Sequence, residues 1–336
     1  MVGMLGQYLR LVRPYGMLFL GLAPVFGALA NGGTSPVVLV VLLFMGMMYH
    51  VFTFVYNDIV DMAIDARSRF VAARPLLEGG VPKSHAIELA AGAVVAVVGL
   101  AVCTWSFLTV VLALVALGSA AVYNLMSKRG PFLEYVLGVG VFCLVLAGAF
   151  AVQPHVTGIT WIVAGAFFLQ WVFSVGVAAN LKDIEEDTKN GVFTSPTYFG
   201  VRHVSGRVIV SFRFQVYMVL VSVSYIVLLG LLYVKGYLSG FVNGIPIGWV
   251  GFSVISMALL VTTWGLLRGP SLSRDRFLRY TGVHEGLALL LVPMALLSLL
   301  VSTLGVTVTL LFFVVIIVWP LSWFRLLYGK RLIPLE

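Results

Sequence analysis

The stretch "PVVLVVLLFMGMMYHVFTFVYNDIVDMAID", residues 36–65, decides the fold. Residues 36–56 contain no Asp, Glu, Lys or Arg, and residues 57–65 then hold one Asn and three Asp. A helix needs about 20 consecutive apolar residues to cross a bilayer, so the first part reads as a membrane span and the second as its polar end. Similar runs recur at 14–31, 84–106, 107–124, 132–152, 157–180, 207–234, 245–267, 281–302 and 304–325. With 61% hydrophobic and 10% charged residues, the chain has too little polar surface for a soluble globule. The runs are continuous rather than alternating, which excludes a lipid-facing barrel. The sequence therefore predicts an all-α polytopic transmembrane helical bundle, one domain over residues 1–336.

The basic residues fix an orientation. If all ten runs cross, every one of the 21 Lys and Arg except Lys235 falls on one side, which is the pattern of cytoplasmic loops. Both termini are then expected in the cytoplasm of an integral cell-membrane protein. The net charge of +8 is a one-sided field suited to anionic lipid headgroups or an anionic substrate, and nothing in it calls for nucleic acid. Cys103 and Cys143 lie inside apolar runs without metal-ligand spacing.

The acids are concentrated in two places. Asp58, Asp61 and Asp65, with Asn57 beside them, end the second run; Asp183, Glu185, Glu186 and Asp187 follow the sixth in "NLKDIEEDTKNG". On a helix, residues three, four and seven apart share a face, so Asp58/Asp61/Asp65 and Asn180/Asp183/Asp187 each read as a stripe of oxygen ligands. Like charges packed this closely repel unless a cation is shared. Mg2+ suits such oxygen sites and bridges carboxylates to substrate phosphates, so the pattern predicts acidic walls that hold metal and a diphosphate. The plainer alternative is a solvated helix end whose acids pair with Arg67, Arg69 and Lys182.

The stretch "NDIVDMAID" resembles the N-D-x-x-D-x-x-x-D signature of the UbiA superfamily of intramembrane prenyltransferases, and "KDIEED" resembles its second Asp-rich motif. Further pieces follow in order: "RLVRPYGMLFLGLAPVFGALA" is similar to the first span, "ARPLLEGGV" to the loop after the first acidic motif, "YNLMSKR" to the Tyr and Lys motif after the fourth span, and "GVFTSPTYFG" to the segment after the second acidic motif. The resemblance covers about residues 8–303. It implies a helical bundle around a central lipid-accessible cavity with a cytoplasmic cap, and Mg2+ held by Asn57, Asp58, Asp61, Asp65, Asp183 and Asp187. The activity implied is transfer of an isoprenoid chain from a polyprenyl diphosphate. Two departures stand out. The family usually has nine spans, so 304–325 is an extra one, and "TSP" replaces the T-L-P of many members, a change with a bearing on acceptor choice.

Breaking an allylic carbon–oxygen bond releases a diphosphate whose growing charge needs cationic donors. Arg74, Lys128 and Lys182 are the best placed, with Arg13, Arg67 and Arg69 as further candidates. The cationic carbon needs an electron-rich, water-poor wall, for which Tyr123, five residues before Lys128, is the candidate. Lys128 and Asp183 complete the catalytic set. Gly79 and Gly80 suggest that the loop bearing Arg74 closes over bound donor. The acceptor is expected to be apolar or aromatic, with a lean to an aromatic or quinone precursor. A prenylated glycerol phosphate, as in archaeal-type ether lipids, and terpene cyclisation are alternatives on the same scaffold. A cation-coupled transporter fits poorly, because coupling ions bind near the midplane. His50 reads as a packing residue, and the roles of His284 and Glu285 stay open.

Overall fold

The computed structural model describes residues 3–66, 74–189, 191–204, 207–267 and 274–329. The helices are α1 Met4–Val12, α2 Pro14–Ala30, α3 Pro36–Asp65, α4 Lys83–Val102, α5 Phe107–Met126, α6 Leu133–Phe150, α7 Gly158–Phe173, α8 Ile184–Lys189, α9 Ser195–Tyr198, α10 Phe212–Val234, α11 Ile247–Leu267, α12 Arg274–Ala295 and α13 Leu297–Tyr328. A π-helical turn, Ser174–Ala179, continues α7. Strands β1 (Arg202–Val204) and β2 (Arg207–Ile209) form a small antiparallel hairpin with Arg202 opposite Ile209.

Among the described residues eight helices are long and apolar enough to cross a membrane, and α1 with α2, bent by 40°, make a ninth. Every apolar run expected from the sequence falls on a helix. The differences have local causes. Helix α12 falls outside that set because it begins with Arg274, Asp275, Arg276 and Arg279 and carries Glu285. Residues 207–209 form β2, so the seventh span starts at Phe212. The break expected near residue 303 is at Gly305, whose φ of 79° and ψ of 164° interrupt α13 in a region open only to glycine.

The chain divides into two compact units, Met1–Leu125 with Cys143–Val156 and Ile316–Glu336, and Met126–Phe142 with Thr157–Val315. In the first, backbones approach closely through glycine: a Cβ on Gly27 would strike the Val145 carbonyl, and one on Gly148 the Pro24 carbonyl. Small residues are how membrane helices approach without a hydrophobic driving force between them. Asn31 ties this region together by donating to the carbonyls of Ala149 (3.1 Å) and His155 (2.9 Å). The Trp319 indole donates to the Pro14 carbonyl at 2.7 Å, which fastens the end of α13 to the start of α2.

The second unit has a core of Val172, Phe173, Val177, Leu181, Ile184, Phe214, Met218, Leu266 and Leu267. Elsewhere large apolar side chains face outward, among them Val306, Leu310, Leu311, Val314 and Val318 on α13. A surface of that kind is stable against lipid tails and not against water, and the protein is an integral membrane protein.

Candidate functional site

The last two turns of α3 carry the first acidic motif, and helical spacing puts Asp58, Asp61 and Asp65 on one face. Asp58 and Asp61 are buried, while Asn57 and Asp65 are half-buried. Burial of carboxylates is tolerated only with partners, and here the partners are arginines. Arg13 Nη2 donates to Asp58 Oδ1 at 2.6 Å, and Arg74 Nη1 reaches the same oxygen at 3.2 Å. Arg74 also pairs with Asp65, so one guanidinium bridges carboxylates two helical turns apart. Asn57 Nδ2 donates to Asp61 Oδ2 at 3.0 Å and lies 3.5 Å from Asn124 Oδ1. Asn124 is itself buried and donates to the Thr53 carbonyl at 2.9 Å.

Arg13 is held in an unusual way. It separates α1 from α2 with a left-handed backbone, φ 50°, and His50 Nε2 lies 3.1 Å from its carbonyl oxygen. A carbonyl can only accept, so that nitrogen carries the imidazole proton and donates it. His50 is buried and holds this carbonyl from α3.

The second motif has a different local form. Asn180, Asp183 and Asp187 do not lie on one continuous α-helical face, as the spacing suggested. The π-turn at Ser174–Ala179 ends α7, a turn spans 180–183, and α8 begins at Ile184. Asp183 and Asp187 stay linked, because the Asp187 N–H donates to the Asp183 carbonyl at 2.9 Å. Lys128 Nζ lies 3.3 Å from Asp187 Oδ1. Asp187 Oδ2 is buried and has no hydrogen-bond partner among the described residues. Burial pushes the Asp187 carboxyl up to about 6; Lys128 opposes that rise and Asp183 adds to it.

Arg13, Arg74 and Lys128 thus meet aspartates of the two motifs, and Lys189 meets Glu185 and Glu186. Arg67 and Arg69 lie outside the described residues, and Lys182 is half-buried in the turn before α8. Tyr123 is half-buried in the last turn of α5, turned about 100° from its neighbour Asn124. From Arg74 to Val81 the expected closing loop is seated, with Leu76 and Val81 buried. Ser195, the departure in "TSP", accepts the Phe132 N–H at 2.7 Å, where Phe132 has a left-handed backbone at φ 65°. A leucine has no atom for that bond.

Two buried polar residues escaped the sequence reading. Asn124 was inside the quoted "YNLMSKR", and its signal was an amide at the end of an apolar run. Glu134, buried on α6 and bonded by the Tyr217 hydroxyl at 3.4 Å, opens a run that contains no other acid.

Among the described residues no three His, Cys, Asp or Glu form a ready-made metal cage. The donor set still fits Mg2+, which keeps several waters and takes only one or two carboxylates alongside substrate phosphates. The unmatched oxygen of Asp187 and the carboxylates of the α3 stripe are oxygen donors of that kind.

These features define a polytopic helical membrane protein whose scarce acids are gathered at helix ends and paired with cations. The sequence profile of the UbiA prenyltransferase family matches residues 18–279, and the chain belongs to that family. It is similar to 4-hydroxybenzoate octaprenyltransferase of Burkholderia mallei (strain NCTC 10247), 32% identical over 58% of this chain and 69% of that protein. To the protein of the same name from Pseudoalteromonas atlantica it is 31% identical, over 44% of this chain and half of the relative's length. Its fold is similar to the apo structure of a UbiA homologue from Aeropyrum pernix K1, with a TM-score of 0.66 at 16% identity over 86% of this chain and 98% of that one. A UbiA homologue from Archaeoglobus fulgidus, solved bound to GPP and Mg2+, aligns with a TM-score of 0.60 at 17% identity over 87% of this chain and 99% of that one.

Proposed function

We propose that this protein transfers an isoprenoid chain from a polyprenyl diphosphate to an aromatic acceptor within the membrane, in a Mg2+-dependent reaction. The observation that carries the reading is the Arg13–Asp58–Arg74–Asp65 network, in which cations and acids already alternate in the way a metal diphosphate requires. The names of the bacterial relatives support the aromatic acceptor.

In this reading Asn57, Asp58, Asp61 and Asp65 hold metal at one acidic cluster, and Asp183 and Asp187 at the other. The chemistry supplied by bound Mg2+ is neutralisation of charge on the departing diphosphate. Arg13, Arg74, Lys128, Lys182 and Arg67 donate to the remaining phosphate oxygens, each donor strengthened by its charge. The allylic carbon–oxygen bond breaks, the diphosphate keeps the electron pair, and a ring carbon of the acceptor forms the new bond and then loses its proton. Tyr123 offers a π-face to the cationic carbon. Apolar helices receive the chain, at about 0.8 kcal/mol for each CH2 buried. The acidic clusters lie on the cytoplasmic side.

The test is purified protein in detergent with a labelled polyprenyl diphosphate and Mg2+, supplied in parallel with 4-hydroxybenzoate, with a prenylated glycerol phosphate, or with no acceptor. A labelled prenylated aromatic, lost on chelation, supports the reading. Product only in the second arm assigns an ether-lipid acceptor, and product without acceptor assigns a cyclase.

A further inference from the structure

Glu285 lies on α12, and Gln170 and Ser174 lie at the junction of α7 with the π-turn. Their hydrogen bonds account for every donor in the group. Ser174 Oγ–H donates to Glu285 Oε2 at 2.7 Å. Gln170 Nε2 spends one hydrogen on the same Oε2 at 3.2 Å and the other on Ser174 Oγ, also at 3.2 Å. Glu285 Oε1 is buried and has no partner among the described residues. A carboxyl oxygen shielded from bulk water without a donor is costly, and these neighbours have no hydrogen left to give. Oε1 is the carboxyl oxygen that this group leaves open to a further donor.

The orientation of Glu285 is enforced. The neighbouring His284 is buried, its ring stacks on Phe173 at 4.4 Å, and its Nδ1 lies 3.1 Å from the Thr262 hydroxyl. Those contacts fix the rotation of α12 and aim the next side chain at Ser174. Depth is also constrained. Glu285 follows Arg279, the nearest preceding charged residue of α12, by six residues, roughly 9 Å along the helix. The carboxyl is thus set inward of the charged start of α12, and the run Gly286–Ala295 that follows it has no further charge; an ionisable group within a membrane span is a functional site by default.

We infer that Glu285 Oε1, presented by Ser174 and Gln170, is a hydrogen-bond acceptor for the hydroxyl of a phenolic acceptor. This rests on the aromatic-acceptor reading above and adds the contact that would select it. A carboxylate accepting a phenolic O–H pushes electron density into the ring, which favours attack by a ring carbon on an allylic cation. It also repels an acceptor that presents a carboxylate at that end, so it fixes which end enters.

The test is equilibrium binding by titration calorimetry of 4-hydroxybenzoate and its methyl ether, 4-methoxybenzoate, to the full-length protein in detergent with Mg2+. Wild type should bind the phenol more tightly than the ether. Glu285→Gln should weaken phenol binding by about ten- to a hundredfold, the range for losing a hydrogen bond to a charged group, and leave ether binding unchanged. Equal binding of phenol and ether by wild type, or discrimination intact in Glu285→Gln, overturns the inference alone. Failure of wild type to bind either compound overturns the aromatic reading with it. If Glu285→Gln does not fold, Ser174→Ala carries the same test. It removes one of the two donors that aim the carboxylate and should cut phenol selectivity by about three- to tenfold. Unchanged selectivity in Ser174→Ala then overturns the inference.

Discussion

Arg13 reaches Asp58 across 45 residues of sequence with an ion pair of 2.6 Å, and does so from a left-handed backbone. That conformation costs a non-glycine residue about 1–2 kcal/mol, so it persists only where surrounding contacts impose it. The His50 donation to the Arg13 carbonyl is one such contact. A Cβ on Gly16 would come within 2.7 Å of the His50 ring, so the ring fits because that glycine has no side chain. His50→Ala should therefore leave Asp61 in place but release Arg13, raising KM for the diphosphate donor several-fold with a smaller effect on kcat. Steady-state kinetics against donor concentration would show this, and an unchanged KM would mean that Arg13 is held without His50.

Asp58 and Asp61 should respond differently to truncation, although both should lose activity by at least about a hundredfold if they hold metal. Asp58→Ala strips a shared partner from Arg13 and Arg74 and leaves buried cations exposed to repulsion. Its melting temperature in detergent without Mg2+ should fall, by a stability loss of about 1–3 kcal/mol. Asp61→Ala deletes a carboxylate from the middle of the stripe, relieves like-charge repulsion, and should melt close to wild type. Activity surviving in Asp61→Ala would remove that residue from the metal set.

Arg74 bridges Asp58 and Asp65 through one nitrogen, Nη1, a contact that a lysine ammonium can also make; a two-pronged contact with donor phosphate needs the guanidinium fork. Arg74→Ala should therefore lower donor affinity by about 1–3 kcal/mol, or roughly ten- to a hundredfold in Kd, and Arg74→Lys should recover only part of that loss. Calorimetric titration with a non-hydrolysable donor analogue and Mg2+ provides the measurement, and full rescue by lysine would refute a two-pronged phosphate contact.

Asp187 gives a signed pH dependence. Its carboxyl titrates near 3.8 when free and is pushed up to about 6 in the fold. The native state thus holds the proton more tightly than the unfolded chain. Without metal, its contribution favours folding below pH 4 and is lost as the pH rises from 4 to 6, by about 3 kcal/mol in all. Asp187→Asn should flatten that slope and be the more stable protein at pH 7 in chelator. Thermal melts of both proteins between pH 4 and 8 decide it; parallel curves would show that Lys128 already compensates the charge.

Gly148→Ala introduces a methyl group where the Pro24 carbonyl lies. Neither backbone can yield without moving α2 or α6, so a loss of about 1–3 kcal/mol is expected, read as a lower melting temperature and broader elution from a sizing column. A monodisperse variant with unchanged melting would mean that this crossing is looser than its geometry.

Much of this was legible beforehand because membrane spans announce themselves by length and hydropathy alone. Asp58, Asp61 and Asp65 also fell on one α3 face as their spacing required. What the sequence hid depended on tertiary contact or on a local departure from regular winding. Arg13 could not be matched to Asp58 without knowing that the chain turns left-handed there. Asn180 dropped out of its stripe because residues 180–183 form a turn between the π-helical end of α7 and α8, a break that no hydropathy pattern records. Glu285 was visible as an acid near a span, but its two donors come from 111 and 115 residues away.

The π-turn has a mechanical consequence. A helix wound with one surplus residue acts as a phase adjuster, setting the azimuth of everything downstream against everything upstream. Winding the same six residues, 174–179, as ordinary α-helix would rotate Asp183 and Asp187 by about 100° relative to the body of α7, whereas deleting one of them as α winding resumes would leave that azimuth almost unchanged. The orientation of the second motif is therefore set by how this segment winds. A substitution that tightens the π-turn without shortening it disturbs the motif more than loss of the surplus residue does.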